Sequence, residues 1–189
     1  VYKRQDDGST DMTGTVALRM GVQVMRHERN LGKGAALKSG FSAARQYGLQ
    51  RVFTMDADGQ HQVREIHRFY AYGKDYDLCV GYRRDTDTMP FLRRLVNRTT
   101  SLVISLFAET YVPDVQCGFR YFSLSMLDHI VLRTNHYQTE SEMIFKAVRT
   151  GYRIGFFPVA TVYGEEKSYI RPFIDTVRFM GMAAGFLWR

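Results

Sequence analysis

The stretch that most constrains this chain is Arg51-Val52-Phe53-Thr54-Met55-Asp56-Ala57-Asp58-Gly59-Gln60-His61. Strand-forming residues end abruptly in two carboxylates separated by one small residue. Side chains alternate along an extended backbone, so Asp56 and Asp58 share a face. Paired charges are costly in a core, which puts them at an edge or mouth. Gly59 lets the backbone turn, and Gln60 adds an amide oxygen. Such hard oxygen ligands suit Mg2+ or Mn2+ held partly by a substrate's phosphates. The same letters also suit a plain turn, because Asp and Gly favour turns. An EF-hand is excluded: counting from Asp56, its required Gly and Glu positions hold His61 and His67.

Around this stretch the chain alternates short strands with helices. Strands are expected over Val1–Gln5, Val22–Met25, Val52–Met55, Asp77–Gly81, Arg153–Phe157 and Ala160–Tyr163, and Asp114 to Phe122 reads as a loop entering an aromatic strand. Helices are expected up to Met20, from the Gly32-Lys33-Gly34 stretch to Tyr47, over Arg64–Tyr72, from Pro90 to Phe107, over Leu124–Val131, over Thr139–Arg149 with Glu140 and Glu142, and from Pro172 onward. The pattern predicts an α/β domain with a mostly parallel open sheet flanked by helices. Ligands of such sheets bind at strand carboxyl ends. Asp6-Asp7, Asp56-Asp58 and Arg83-Arg84 all fall there. Opening inside a strand-to-helix transition points to a piece without its natural N-terminus.

Gly32-Lys33-Gly34 has several readings. It is not a P-loop, since position 27 is His and Gly34 stands where Ser or Thr is required. It is a poor dinucleotide fingerprint, with Leu37 in place of the third glycine. Asp56 does lie roughly 20 residues on, as that fingerprint asks. Anion binding at a helix start and a simple glycine-capped helix remain open.

The net charge of +7 favours an acidic ligand or an anionic membrane surface. Arg83, Arg84, Arg93, Arg94 and Arg98 lie within sixteen residues. They make either a solvated basic face or an anion pocket, since guanidinium groups hold phosphate bidentately. In the helix after Pro90, Leu92, Leu95, Val96, Leu102, Val103 and Leu106 form the apolar stripe, and Arg94, Asn97, Arg98, Ser101 and Ser105 share another face. In the last helix Phe173, Val177, Met180, Phe186 and Trp188 suit core packing or a membrane surface. Cys79 and Cys117 give neither a disulfide framework nor a metal spacing, so a reducing cytoplasmic setting is the default. No apolar run is long enough to span a bilayer.

Taken in order, Asp6-Asp7-Gly8-Ser9-Thr10-Asp11, Asn30-Leu31-Gly32-Lys33-Gly34, Asp56-Ala57-Asp58-Gly59-Gln60-His61, Gly81-Tyr82-Arg83 and Gln116-Cys117-Gly118-Phe119-Arg120 resemble glycosyltransferase family 2, whose fold is GT-A. The nearest type looks like the polyprenyl-phosphate (dolichol-phosphate) mannosyl- and glucosyltransferases. The resemblance covers nearly the whole chain. It implies that Asp7 binds the nucleobase or ribose, with Lys33 also on the nucleotide-sugar side. Asp56, Asp58 and Gln60 would hold Mg2+ or Mn2+ and the donor diphosphate. Arg83, Arg93 and Asn97 would meet an acceptor phosphate, with Arg94 the near alternative to Arg93. Asp114 falls near the family's catalytic acidic position, by a loose mapping.

The implied reaction is inverting transfer from a UDP- or GDP-hexose to a polyprenyl phosphate at the cytoplasmic face of a membrane, with no nucleic-acid partner. Residues 1–172 would be the catalytic domain and 173–189 an amphipathic, membrane-associated helix. Transfer to a sugar hydroxyl is the alternative. An NAD-type oxidoreductase and a non-catalytic basic module are the rivals from other classes. Family members begin with a strand ending in a Pro-x-Tyr-Asn-Glu-type segment, which this sequence lacks. That strand is central, so a gap or rearranged edge in the sheet, and an unstable, inactive chain, are expected.

Overall fold

A computed structural model describes residues 3–84, 89, 91–162 and 172–187, with the side chains of 92, 172, 173, 186 and 187 left aside. The strands are β1 (Lys3–Asp6), β2 (Gln23–Arg26), β3 (Arg51–Thr54), β4 (Leu78–Arg83), β5 (Arg120–Ser123) and β6 (Ile154–Val159). The helices are α1 (Thr13–Arg19), α2 (Lys33–Gln46), α3 (Ile66–Gly73, entered through a 3-10 turn, Val63–Glu65), α4 (Phe91–Ala108), α5 (Met126–His129), α6 (Gln138–Arg149) and α7 (Pro172–Leu187).

The strands form two ladders. β1 pairs with β2 in parallel, and a four-stranded sheet runs in the order β3-β5-β4-β6. β5 is antiparallel to both neighbours, while β4 and β6 are parallel. β3, β4 and β6 therefore point the same way, and their carboxyl ends share one edge with the loop that leads into β5. That edge gathers Asp56, Arg83, Thr161 and the 114–118 loop.

Period-two alternation splits the core between the two faces of the sheet. Leu78 and Val80 of β4 and Phe122 of β5 face one apolar layer, with Phe41, Ile104, Met143, Ile144 and Phe179. Cys79 and Tyr121 face the other, with Phe69, Phe119, Cys117 and Val159. Phe119 sits in that second layer with Phe53 and Phe69 edge-on to it, at 4.6 and 4.9 Å between ring centroids. β4 is buried along nearly its whole length, as a strand covered on both faces should be.

Three expectations are corrected. β6 runs straight through Pro158, and Thr161 makes only an isolated bridge to His61. Proline is tolerated because β6 is the outermost strand of its ladder. On α4 the supposed polar face turns inward: Asn97 and Ser101 are buried, while Leu95, Leu102 and Leu106 are exposed. The hydroxyls are satisfied by the loop that follows. Val112 N–H donates to Ser105 Oγ (2.9 Å) and Val115 N–H to Ser101 Oγ (3.2 Å). α7 packs inward through Phe179 and Ala183, whereas Val177 and Met180 face outward. Phe173, Phe186 and Trp188 lie outside the described side chains.

Candidate active site

The first carboxylate, Asp56, follows β3. Lys33 Nζ reaches both of its oxygens, at 2.8 and 3.0 Å, and also Glu140 Oε2 at 2.9 Å. Burial pushes the Asp56 carboxyl up, but the Lys33 ammonium outweighs it and holds the group below its ordinary range. Burial pushes the Lys33 ammonium down, and the two carboxylates more than reverse that, so it stays charged. Asp56 can sit here because residue 118 is glycine. A Cβ at Gly118 would lie 2.5 Å from the Asp56 carboxyl atoms.

Asp58 is exposed, and one of its oxygens accepts the Gln60 N–H (3.1 Å). Gln60 is buried, and its Oε1 stands 3.5 Å from Arg93 Nη2. His61 packs over Phe119, 5.2 Å between ring centroids. Burial lowers its pKa, against the opposing pull of Asp56 and Asp58.

At the end of β4, Arg83 is locked to Asp114. Arg83 Nε donates to Asp114 Oδ2 (2.6 Å) and Nη2 to Oδ1 (2.9 Å), both side chains being almost fully buried. The Gln116 N–H also donates to Asp114 Oδ1 (3.0 Å). Burial raises the Asp114 pKa, but the Arg83 guanidinium outweighs it and holds the carboxyl below the usual range. A carboxylate bonded this fully is a poor proton acceptor. Arg94 is half-buried on α4.

Asp7 is spent on its own loop. Its carboxylate accepts the N–H groups of Leu31 (3.0 Å) and Gly32 (2.8 Å), and His27 Nδ1 lies 2.7 Å away. The anion at the start of α2 is thus this carboxylate. The two glycines of the Gly32-Lys33-Gly34 motif are close-packing residues. A Cβ on Gly32 would lie 2.3 Å from His136 Nδ1, and one on Gly34 1.9 Å from Thr139 Oγ1. Gly32 also has φ 100°, a backbone that favours glycine. Asp7 fixes the loop, the loop fixes Lys33, and Lys33 reaches Asp56.

Sequence reasoning left Glu140, Arg120 and Gly118 without roles. Arg120 is buried and donates to three carbonyls, of Cys117 (2.9 Å), Val115 (2.8 Å) and Glu140 (2.8 Å). It ties the loop carrying Asp114 and Gly118 to the first turn of α6. Buried arginine in a Gly-Phe-Arg run was the available signal, since a buried guanidinium must find partners. Glu142 is a structural cap, accepting from Arg133 N–H, Thr134 N–H and Lys146.

The residues fit a divalent ion in donor chemistry. Asp56, Asp58 and Gln60 all carry oxygen donors, and the Lys33 ammonium already stands as a cation on Asp56. Among the described residues no group of three His, Cys, Asp or Glu is placed to hold a metal by itself. Buried polar atoms without a hydrogen bond in this structure include Arg93 Nε, Asn97 Oδ1, His61 Nδ1 and Thr161 Oγ1.

β3, β4 and β6 point one way with β5 running against them, and acidic and basic groups gather at their carboxyl edge, the arrangement expected of the GT-A fold. The family described as "Glycosyl transferase family 2" matches residues 5–135, and the chain belongs to it. It is 32% identical over 152 residues to a UDP-N-acetylglucosamine–dolichyl-phosphate N-acetylglucosaminyltransferase of Methanococcus voltae, covering 76% of this chain and 61% of that one. It is 27% identical over 172 residues to an undecaprenyl-phosphate mannosyltransferase of Micrococcus luteus, covering 85% of this chain and 71% of the relative. Among solved structures it resembles glucosyl-3-phosphoglycerate synthase from Mycobacterium tuberculosis in complex with UDP, with TM-score 0.78 and 16% identity over 97% of this chain and 68% of that one. Another crystal structure of that synthase holds Mn2+ and UDP-glucose.

The chain is therefore a glycosyltransferase. The oxidoreductase and basic-module readings fall with that membership, and the packed glycines remove the cradle on which the first of them rested.

Proposed function

We propose that this domain transfers a hexose, with inversion, from a UDP- or GDP-sugar to the phosphate of a polyprenyl lipid. The observation that carries the reading is the Arg83–Asp114 clamp. The one carboxylate that the resemblance sets at the catalytic position is committed to a guanidinium. The clamp holds a fixed cation there and takes that carboxylate out of use as a base. A sugar hydroxyl needs a base, but a phosphate monoester, with a second pKa of about 6, is mostly a dianion at neutral pH. It needs only to be held, and Arg83, Arg93 and Asn97 are the holding groups.

On the donor side, Asp56, Asp58 and Gln60 would bind Mg2+ or Mn2+, which as a Lewis acid neutralises the charge developing on the departing diphosphate. Lys33 contributes a second positive charge beside it. Asp7 acts by fixing the loop that carries Lys33. The names of the relatives, both lipid-phosphate sugar transferases, support this reading.

The test compares polyprenyl phosphate with the same polyprenol lacking the phosphate. Transfer goes to the phosphate alone, and its rate rises through the phosphate's second ionisation near ~6 before levelling off. Comparable transfer to the alcohol, or to a saccharide hydroxyl, would overturn the proposal.

A membrane surface is the natural place for such an acceptor. Phe91, Leu95, Leu102 and Leu106 expose one apolar stripe along α4, with Phe91 71% and Leu106 70% exposed. Arg84 and Arg98 are exposed on the same stretch of chain, and the whole chain carries +7. α7 adds exposed Ile174, Val177 and Met180. Apolar residues beside cations suit the boundary of an anionic leaflet, and we place the domain at the cytoplasmic face, with residues 173–189 as the associated helix. No described helix is long and apolar enough to cross a membrane. Sedimentation with vesicles containing phosphatidylserine should recover the protein, and the Leu102→Glu/Leu106→Glu variant should stay in the supernatant. Equal recovery of both would remove α4 from the contact.

A further inference from the structure

The donor arm contains a contact that donor binding, as proposed above, would have to break. Lys33 Nζ faces both oxygens of Asp56, so the ammonium occupies the side of that carboxylate from which a divalent ion would approach. Its other partner is Glu140, in the first turn of α6. The Glu140 side chain is almost wholly buried, and its backbone carbonyl is held by Arg120 Nη1 at 2.8 Å. Arg120 Nε lies a further 3.8 Å from Glu140 Oε1. The base of Lys33 is equally fixed. Asp7 holds the amides before it, and Gly34 packs against Thr139 on α6. With α2 and α6 locked at their first turns, only the flexible Lys33 stem is left to move.

We propose that Glu140 is a positioning residue that retains the Lys33 ammonium when Asp56 turns to a divalent ion, so that Lys33 and the metal compete for Asp56 and the metal enters effectively only together with a nucleoside diphosphate. This rests on the assignment of Asp56 to the donor metal. The physical reason is charge balance. Asp56, Asp58 and Glu140 offer three negative charges, and Lys33 already neutralises part of them. A bare divalent ion must displace an ammonium from Asp56. A diphosphate brings its own negative charge, which gives the displaced ammonium a second anion to face. Without Glu140 the ammonium has Asp56 and, more weakly, the Tyr137 ring 5.8 Å away to rest on, and displacing it from Asp56 becomes harder.

The test is a Mn2+ titration of the protein, followed by the electron paramagnetic resonance signal of free Mn2+, with and without UDP or GDP. The wild-type chain should bind Mn2+ at least roughly tenfold more tightly with the nucleotide than without, a coupling of ordinary size. Lys33→Met should tighten Mn2+ binding in the absence of nucleotide and shrink that coupling. Glu140→Gln should weaken Mn2+ binding in the otherwise wild-type chain and weaken it distinctly less in the Lys33→Met background, where only the carboxylate's own charge is lost and the part that runs through Lys33 is gone.

A merely structural Glu140 would weaken binding equally in both backgrounds, and that result overturns the inference. So does unchanged Mn2+ affinity in Lys33→Met. If the wild-type chain binds no Mn2+ with either nucleotide, the donor-metal assignment itself fails. Circular dichroism of each variant separates loss of fold from loss of site.

Discussion

Replacing Gly118 with alanine should abolish metal-dependent nucleotide binding while leaving most of the fold standing. The added methyl would sit 2.5 Å from the Asp56 carboxyl atoms, well inside contact distance. The carboxylate is the side that must yield, taking the Lys33 ammonium with it, because the 118 backbone is held by Thr54 Oγ1, which donates to the Gly118 carbonyl (3.1 Å). Overpacking of this kind costs about 1–3 kcal/mol of stability. The effect on the site is larger, since a displacement of about 1 Å in a positioning group can cost ~100-fold in rate. Urea unfolding and Mn2+–UDP titration on the same preparation check both halves. Undiminished binding would show that Asp56 is not a donor ligand in the position seen here.

Asp114 should give two different results according to the replacement. Alanine removes a bidentate partner of a buried guanidinium, and breaking a buried pair by one side costs about 3–5 kcal/mol. The Gln116 amide loses its acceptor as well. Asp114→Ala should therefore be poorly folded. Asparagine keeps a hydrogen-bonding oxygen for Arg83 and nearly the same volume, so the protein should fold with a smaller loss. If Asp114 only holds Arg83, the asparagine variant should raise the KM for polyprenyl phosphate more than it lowers kcat. A fall in kcat of ~100-fold or more at saturating acceptor is the scale of general-base catalysis and would restore that role to Asp114. The same assay over pH adds a second readout. With no base, the profile follows the acceptor phosphate in both proteins.

What could be read from the letters was whatever depends on short-range geometry. The Asp56-Ala57-Asp58 pair follows a strand because period-two spacing and a terminal glycine are local facts. The α2 helix ends near Gly48, whose φ of 67° favours glycine there. The GT-A architecture was legible through motifs in order. The antiparallel placement of β5 between β3 and β4 was not, because it depends on a partner some seventy positions away, as in the pairing of Val52 with Phe122.

The faces of α4 were misjudged for a related reason. Sorting residues by polarity puts leucine inside, yet Ser101 and Ser105 are drawn inward by the unpaired amides of Val115 and Val112. Likewise nothing local distinguishes Glu140, which meets Lys33, from Glu142, which caps the 133–134 backbone. Asp7 shows the converse. Its motif was visible, but the loop it binds lies 24 and 25 positions on, so its structural duty was hidden.

The two ladders share no backbone rung among the described residues, and α2 spans them. It packs against β1 and α6, and its Phe41 meets Phe122 of the four-stranded sheet edge-on at 5.2 Å. Lys33 stands at the tip of this helix, eight residues from that contact, or about 12 Å along the axis. Mechanically α2 is a tie rather than a hinge: seated against α6 at Gly34 and against the four-stranded sheet at Phe41, it holds the β1–β2 ladder and the Lys33 tip in one register.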